Sequence, residues 1–372
     1  MDDMRQLSIK QSLPKKYKVI ILILRDCFLI YRRDCCMPKY PAWVASSAKS
    51  QFTKQEIELG PLGEEEVEVI VEYCGICHSD LSVLNNEWGN AKYPAVLGHE
   101  ITGRVAAVGP SVKGISVGQK VGIGWTCSSC MHCHQCISGN QNFCPESVAT
   151  IIGHNGGFAA RVRAHWEWTI PIPEKLPMAE TGPLLCGGIT VFNPLATYAK
   201  PTDRVGIVGI GGLGHLAVKF AAAFGCEVTA FTSSESKIKE AQDFGAHHVV
   251  SSRDPSAIQK LAGTFDMILV TVNVPLDWSA LISALAPKGR LHFVGAVMES
   301  IPVAIFPLLV GQECISSSPI GPPAAIATML DFASLHQIIP KTEHFPMSQI
   351  NQAFKHLEEG KARYRIVLDA DF

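Results

Sequence analysis

A glycine-rich turn set between a strand and a helix constrains this chain more than any other feature. Gly209-Ile210-Gly211-Gly212-Leu213-Gly214 follows an apolar run at 205–208 and opens a helical pattern at 213–224. Small residues there let the backbone turn tightly and approach a pyrophosphate at the helix N-terminus. Without a ligand the same residues would make only a tight turn, so the context matters. After Pro201 the texture is strand–helix alternation: strands read at 226–231, 247–250, 267–271 and 290–294, with helices at 236–244 and 276–285. The expected result is an α/β fold with a parallel, doubly wound sheet. From 323 onward the pattern returns to a helix at 349–358 and a last strand at 364–368.

A dinucleotide site of this kind normally ends its second strand in Asp or Glu, which bonds the ribose 2′-hydroxyl. Here that place is Thr232-Ser233-Ser234, with Lys237 just beyond. Hydroxyls do not repel a 2′-phosphate, and Lys237 lies within reach to pair with it. NADP(H) is therefore favoured over NAD(H). Glu235 would restore some affinity for NAD, and an ordinary hydroxyl-rich loop with a solvated lysine would read the same way.

The first half has a different texture. From about 37 to 163, short β-like runs at 66–71, 103–108 and 120–123 alternate with Gly and Pro, which is a β-rich, loop-rich pattern. With 372 residues, 47% of them apolar, the chain can fill two cores. It also holds thirteen cysteines, eight of them between Cys74 and Cys186 and several three residues apart, a step that favours metal binding over disulfides. That pattern reads as a reducing compartment and bound zinc. Cys130, Cys133, Cys136 and Cys144 place four thiolates on one compact loop, the shell of a structural zinc, although Cys127, His132 and His134 compete for the same metal. A second set is scattered: Cys77, His99 with its neighbour Glu100, and Cys186. Each taken singly reads as an ordinary buried residue. Together they suit a catalytic zinc, which takes three protein ligands and keeps one position open.

Charge excludes other classes. Lys and Arg number 32 against 34 Asp and Glu, so there is no broad footprint for nucleic acid or an anionic membrane. The apolar run at 19–24 follows Lys15, Lys16 and Lys18 like a signal peptide, but Arg25 and Asp26 end it too early to span a bilayer. A cytoplasmic location and small-molecule partners are expected, with no nucleic acid and no membrane. Residues 1–36 read as an extension without a ligand or cofactor group, and are expected to be dispensable.

The sequence resembles the zinc-containing medium-chain dehydrogenase/reductase superfamily, and within it the cinnamyl-alcohol-dehydrogenase-like, NADP-dependent aldehyde reductase branch. The resemblance covers about 37 to 370 and rests on CGICHSDL, GHE, the four-cysteine lobe, PLLCGGIT, GIGGLGHLAVKF, FTSSESK, GRLHFVGAV and GKARYRIVL. It implies a β-rich GroES-like catalytic domain (37–187 and 322–372) and a Rossmann cofactor domain (188–321). It also implies hydride transfer between NADP(H) and a primary alcohol or aldehyde, aliphatic or aromatic, mainly as aldehyde reduction, in a homodimer.

By the same resemblance two zinc ions bind each chain. Cys77, His99 and Cys186 would hold the catalytic one, with Glu100 as a carboxylate able to exchange with water there, and Cys130, Cys133, Cys136 and Cys144 the structural one. Asp80 would hydrogen-bond His99 and fix its tautomer. Thr190 would line the nicotinamide, His78 and Arg365 would lie near the pyrophosphate reached by Gly209, Gly211, Gly212, Leu213 and Gly214, and Ser233, Ser234 and Lys237 would serve the ribose end. Ser79 would pass a proton outward, unless its hydroxyl only caps a turn.

Two departures stand out: Ser82 replaces the histidine that many relatives carry five residues after the first zinc cysteine, and the family offers no role for 1–36. Trp88 and Trp125 match places where relatives line the substrate pocket with rings, and are equally compatible with ordinary packing. A zinc-binding module without catalysis, or a zinc-independent reductase on the same fold, are the competing readings.

Overall fold

Valines at every second place make the first sheet. In β1 (Glu66–Ile76) Val67, Val69 and Val71 point into the core while Glu66, Ile70 and Glu72 face outward or remain partly accessible. The structure is a computed structural model that describes residues 38–372, so the extension at 1–36 lies outside the described residues. Tyr40–Ile57 and Leu62–Phe372 form one compact unit. β1 runs directly into α1 (His78–Leu84). It pairs antiparallel with β2 (Glu100–Val108), and the sheet continues through β3 (Lys120–Ile123). β4 (Arg161–His165) lies along the start of β1, and β5 (Thr169–Pro171) along β3.

The second sheet begins after α2 (Gly187–Tyr198). β6 (Arg204–Val208) is buried along nearly its whole length, as a central parallel strand must be. It leads through the glycine turn into α3 (Gly214–Ala223), then β7 (Glu227–Thr232), α4 (Ile238–Asp243) and β8 (His248–Ser251). β9 (Phe265–Val270) and β10 (Leu285–Phe293) follow, then α5 (Ile305–Gly311) and the edge strand β11 (Cys314–Ser317). All six strands are parallel in the order β8-β7-β6-β9-β10-β11. Strand order reverses between β6 and β9, and the crevice at the carboxyl ends there is where doubly wound folds take ligands. The glycine turn sits at that point.

After α6 (Pro323–His336) the chain returns to the first sheet. β12 (Thr342–Pro346) pairs with β13 (Arg365–Asp369), which pairs antiparallel with β1, Ile366 opposite Ile76. α6 covers α2 and α3, burying Ile326, Met329, Leu330 and Ala333 in the same cluster as Ile189, Leu195, Leu216 and Phe220.

The strands expected from pattern all exist, with ends moved by at most five residues and 120–123 unmoved; β1 and β10 are the longest extensions. The expected helix at 236–244 is a 3-10 turn at Glu235–Lys237 followed by α4. α2 and α6 were not expected. α2 opens on two glycines and contains Pro194, which hides a helical pattern, and α6 is so rich in alanine that its buried spacing stands out poorly.

Candidate active site and metal centres

The inner cluster is organised by one carboxylate. Cys77 precedes α1 in an extended conformation, and Asp80, on the first turn, returns Oδ2 to accept from the Cys77 backbone N–H at 2.9 Å. Oδ1 accepts from the Gly98 N–H at 2.9 Å and meets His99 Nδ1 at 3.0 Å. Asp80 is fully buried, so it ties α1 to the segment before β2 and leaves His99 Nε2 facing away from it. That nitrogen lies 3.3 Å from Cys186 Sγ, whose residue ends the turn before α2, and Cys186 Sγ lies 3.8 Å from Cys77 Sγ.

A tetrahedral zinc with bonds of about 2.3 Å to sulfur has sulfur–sulfur edges of about 3.8 Å. The donor set therefore fits a zinc ion without movement. Cys77, His99, Glu100 and Cys186 are all buried, with ligand atoms within 4.8 Å of one another.

The electrostatics agree with a cation-binding pocket. The hydrogen bond with Cys186, then Arg365 and His99, draws the Cys77 thiol well below its ordinary value against the effect of burial, while the same bond and burial push Cys186 well above it. Burial opposes a charged His99, but Asp80 and Cys77 outweigh it. Glu100 accepts from Arg365 through Oε1, while its Oε2 is buried without a partner. Burial lifts the Glu100 carboxyl to about 7 despite that arginine.

The outer cluster is local. Cys130, Cys133, Cys136 and Cys144 bring four sulfurs within 4.8 Å, Cys130 and Cys136 being 4.0 Å apart. Backbone N–H groups already point at the sulfurs, Cys133 N to Cys130 Sγ at 3.3 Å and Cys130 N to Cys144 Sγ at 3.5 Å. The His132 backbone amide leads in lowering Cys130 to about 6. All ten described cysteines are free. Cys127 is turned elsewhere, donating to the Val148 carbonyl, and burial keeps it protonated with a value of about 12. His132 and Glu146 flank Cys130 on the exposed side, while His134 belongs to none of the close donor groups among the described residues.

The glycine turn behaves as a cradle. Gly209 has φ +89, and a side chain there would strike Val272; one at Gly214 would strike the Gly209 carbonyl. Gly212 makes room for Arg365, whose Nη1 lies 2.8 Å from where a Cβ would stand, while space beside Gly211 is open. Leu213 lies at the head of α3. Thr190, one turn into α2, hydrogen-bonds back to the Cys186 carbonyl through its N–H at 3.0 Å. Lys237 Nζ donates to the Ile210 carbonyl at 2.7 Å, so the lysine bridges from the end of β7 to the turn. Ser234 Oγ pairs with Ser236 Oγ at 2.8 Å, and Ser233 is exposed.

Around the inner cluster, His78 is exposed, Ser79 Oγ lies 3.7 Å from Cys77 Sγ, and Trp125 stands edge-on to His99 at 5.0 Å with Trp88 against it at 5.9 Å. Ser82 is buried and donates to Glu87 Oε2 at 2.7 Å, away from the sulfurs.

Sequence reasoning missed three contributors. One is the backbone anchoring by Asp80. A second is the Arg365–Glu100 pair, which spans 265 residues. The third is His215, buried behind the glycine turn with Nδ1 3.0 Å from the Gly211 carbonyl, stacked on Tyr364 at 5.1 Å and kept neutral by burial, with a value of about 3. The spacing from Gly211 to His215, one helical turn, was the only signal for it.

Two family models match the sequence: the alcohol dehydrogenase GroES-like domain over residues 63–174 and the zinc-binding dehydrogenase over residues 212–334. An aldehyde reductase from Synechocystis sp. is 53% identical over 88% of this chain and 98% of its own length. A vomilenine reductase from Rauvolfia serpentina is 43% identical over 82% and 88%. Among solved structures, a cinnamyl alcohol dehydrogenase from Sorghum bicolor superposes with a TM-score of 0.85 at 36% identity, covering 89% of this chain and 98% of that one. The CAD of Helicobacter pylori, solved as a complex with NADP(H), gives 0.81 at 30% identity with the same coverage.

Proposed function

The chain belongs to the zinc-binding alcohol dehydrogenases and is an alcohol/aldehyde oxidoreductase; we propose that it acts mainly as an NADPH-dependent aldehyde reductase with two zinc ions per chain. The observation that carries the reading is the Cys77–His99–Cys186 cluster beside the glycine turn, with Arg365 reaching both Glu100 and Gly212. Residues 37–187 and 322–372 are the catalytic domain in this reading, and 188–321 the cofactor domain. Cys77, His99 and Cys186, with Glu100 alongside, would hold the reactive zinc, and Cys130, Cys133, Cys136 and Cys144 the structural one. The bound groups supply Lewis-acid polarisation of the substrate oxygen and a hydride.

The chain's own residues do the rest. Asp80 fixes the imidazole of His99 so that Nε2 is the donor toward the metal. Arg365 balances Glu100 and keeps its charge in the buried site. Ser79, whose Oγ lies 3.7 Å from Cys77 Sγ, would relay a proton from water to the substrate oxygen. Ser82 takes no part, since its proton is committed to Glu87. Trp88 and Trp125 form an aromatic wall suited to flat or slender apolar aldehydes. Thr190 would line the nicotinamide, and His78 would lie near the pyrophosphate.

For the ribose end, the absence of an acid at Thr232-Ser233-Ser234 and the position of Lys237 support NADP(H). A homodimer is supported by α5, where Ile305, Phe306, Leu309 and Val310 are all exposed beside the edge strand β11. The reduced cysteines are consistent with the cytoplasm, and among the described residues no helix is long and apolar enough to cross a membrane.

The test is an aldehyde panel run with each cofactor, together with a metal assay. NADPH-driven reduction and two zinc ions per chain are expected. Equal or better efficiency with NADH would sink the cofactor assignment, and turnover unaffected by complete zinc removal would sink the site.

A further inference from the structure

Three cations converge on one tyrosine at the mouth of the glycine turn, where Glu240 pairs with Lys341 and Glu343 accepts from Arg363 only its backbone N–H, at 2.8 Å. Lys237, Lys341 and Arg363 stand 5.4, 5.7 and 5.9 Å from the centre of the Tyr364 ring. Glu240 is fully used, with Oε1 accepting from Lys341 at 2.7 Å and Oε2 from the Tyr364 hydroxyl at 2.6 Å. Lys237 instead donates to the Ile210 carbonyl, and the Arg363 guanidinium makes one long bond, 3.5 Å, to the carbonyl of its neighbour Ala362. Among the described residues neither has a carboxylate within ion-pair distance. Burial and then Arg363 lower the affinity of Lys237 for its proton, so the two charges feel each other.

Holding two like charges together at a half-buried place is unfavourable unless an anion occupies it. A phosphate monoester, with a charge of about −2 near neutral pH, would balance them. Ser233 and Ser234 follow β7 directly, and Ser234 heads the 3-10 turn that carries Lys237.

We infer that Arg363 is a specificity-determining residue that pairs with the 2′-phosphate of the cofactor and forms with Lys237 a two-cation clamp. Arg363 comes from the segment leading into β13, not from the parallel sheet, so the clamp spans both sheets. The ring of Tyr364, stacked on His215 and bonded to Glu240, sets the separation of the two cations. One segment then serves both anionic parts of the nucleotide, Arg365 at the glycine turn and Arg363 at the ribose. The inference rests on the NADP(H) reading.

Its test is equilibrium binding of 2′,5′-ADP and of 5′-AMP to the full-length protein, as wild type and as Arg363→Gln and Arg363→Lys. Arg363→Gln should weaken 2′,5′-ADP by about ten- to a hundredfold, the range for a lost charge-assisted bond, and change 5′-AMP by less than about twofold. Arg363→Lys should lose only part of this, since it keeps the charge without the planar fork. If Arg363→Gln weakens both nucleotides equally, or neither, Arg363 is a packing residue on Tyr364 and the inference is overturned. Should Arg363→Gln fail to fold, the lysine variant decides, because unchanged discrimination there overturns the clamp as well. A wild type that binds 5′-AMP as tightly as 2′,5′-ADP would bring down the NADP(H) reading itself.

Discussion

The two cysteine clusters use the same chemistry and are encoded in opposite ways. The outer one takes four thiols from fifteen consecutive residues, Cys130 to Cys144, and two of them remain partly accessible. The inner one takes Cys77, His99 and Cys186 from the end of a strand, the start of another and the head of a helix, and all are buried. The outer sulfurs converge within one loop, whereas the inner donors are brought together by separate elements that Asp80 ties to one another. A local cluster can thus act as a staple, and a dispersed one as a rigid, reactive centre with a position left open.

The sharpest way to break this contrast is to remove one ligand from each. Cys186→Ala should lower turnover by about a thousandfold or more, since several kcal/mol of charge stabilisation at the substrate oxygen would be lost, with circular dichroism little changed. Substantial residual turnover would show that the inner cluster is not the reactive one. Asp80→Asn comes next: aldehyde turnover and inner-site zinc affinity should fall about ten- to a hundredfold, because His99 loses the partner that sets its tautomer. If both measurements stayed at wild-type level, the anchoring described here would be structural decoration.

Cys133→Ala should act on stability, not on chemistry. Metal analysis should find one zinc fewer per chain and calorimetry a melting point lower by about 5–10 °C, while turnover per folded molecule stays within a few-fold. A variant with normal melting but no activity would reverse the two roles. The smallest effect is expected at Ser82→Ala. Because its hydroxyl is spent on Glu87, the maximal rate and its pH profile should move by less than about twofold; a displaced profile would place Ser82 in the proton path after all.

What the sequence made legible follows from distance along the chain. The four-cysteine loop and the turn from Gly209 to Gly214 are written in consecutive residues, so spacing alone exposes them. Cys77, His99 and Cys186 are visible only as a set, because no period connects a residue before α1 with one before α2. The Arg365–Glu100 pair depends on the register of β13 against β1, with Ile366 opposite Ile76, and of β1 against β2, with Gly75 opposite Glu100. Nothing in either segment read alone reveals it. The triple acceptor role of Asp80 is hidden for the same reason, since two of its donors are backbone groups that no side-chain pattern marks. Lys237 was legible as a cation near the ribose, but its bond to Ile210 and its crowding with Arg363 around Tyr364 emerge only when the two sheets meet.

The strand β13 also has a bearing on the order of events at the ribosome. Glu100 is synthesised 265 residues before Arg365, its charge partner. Until β13 exists, Glu100 lacks this partner and β1 lacks its neighbour on that side. The buried charge of Glu100 therefore gains this counterion only once β13 has docked beside β1, and a chain lacking β13 cannot complete the pair.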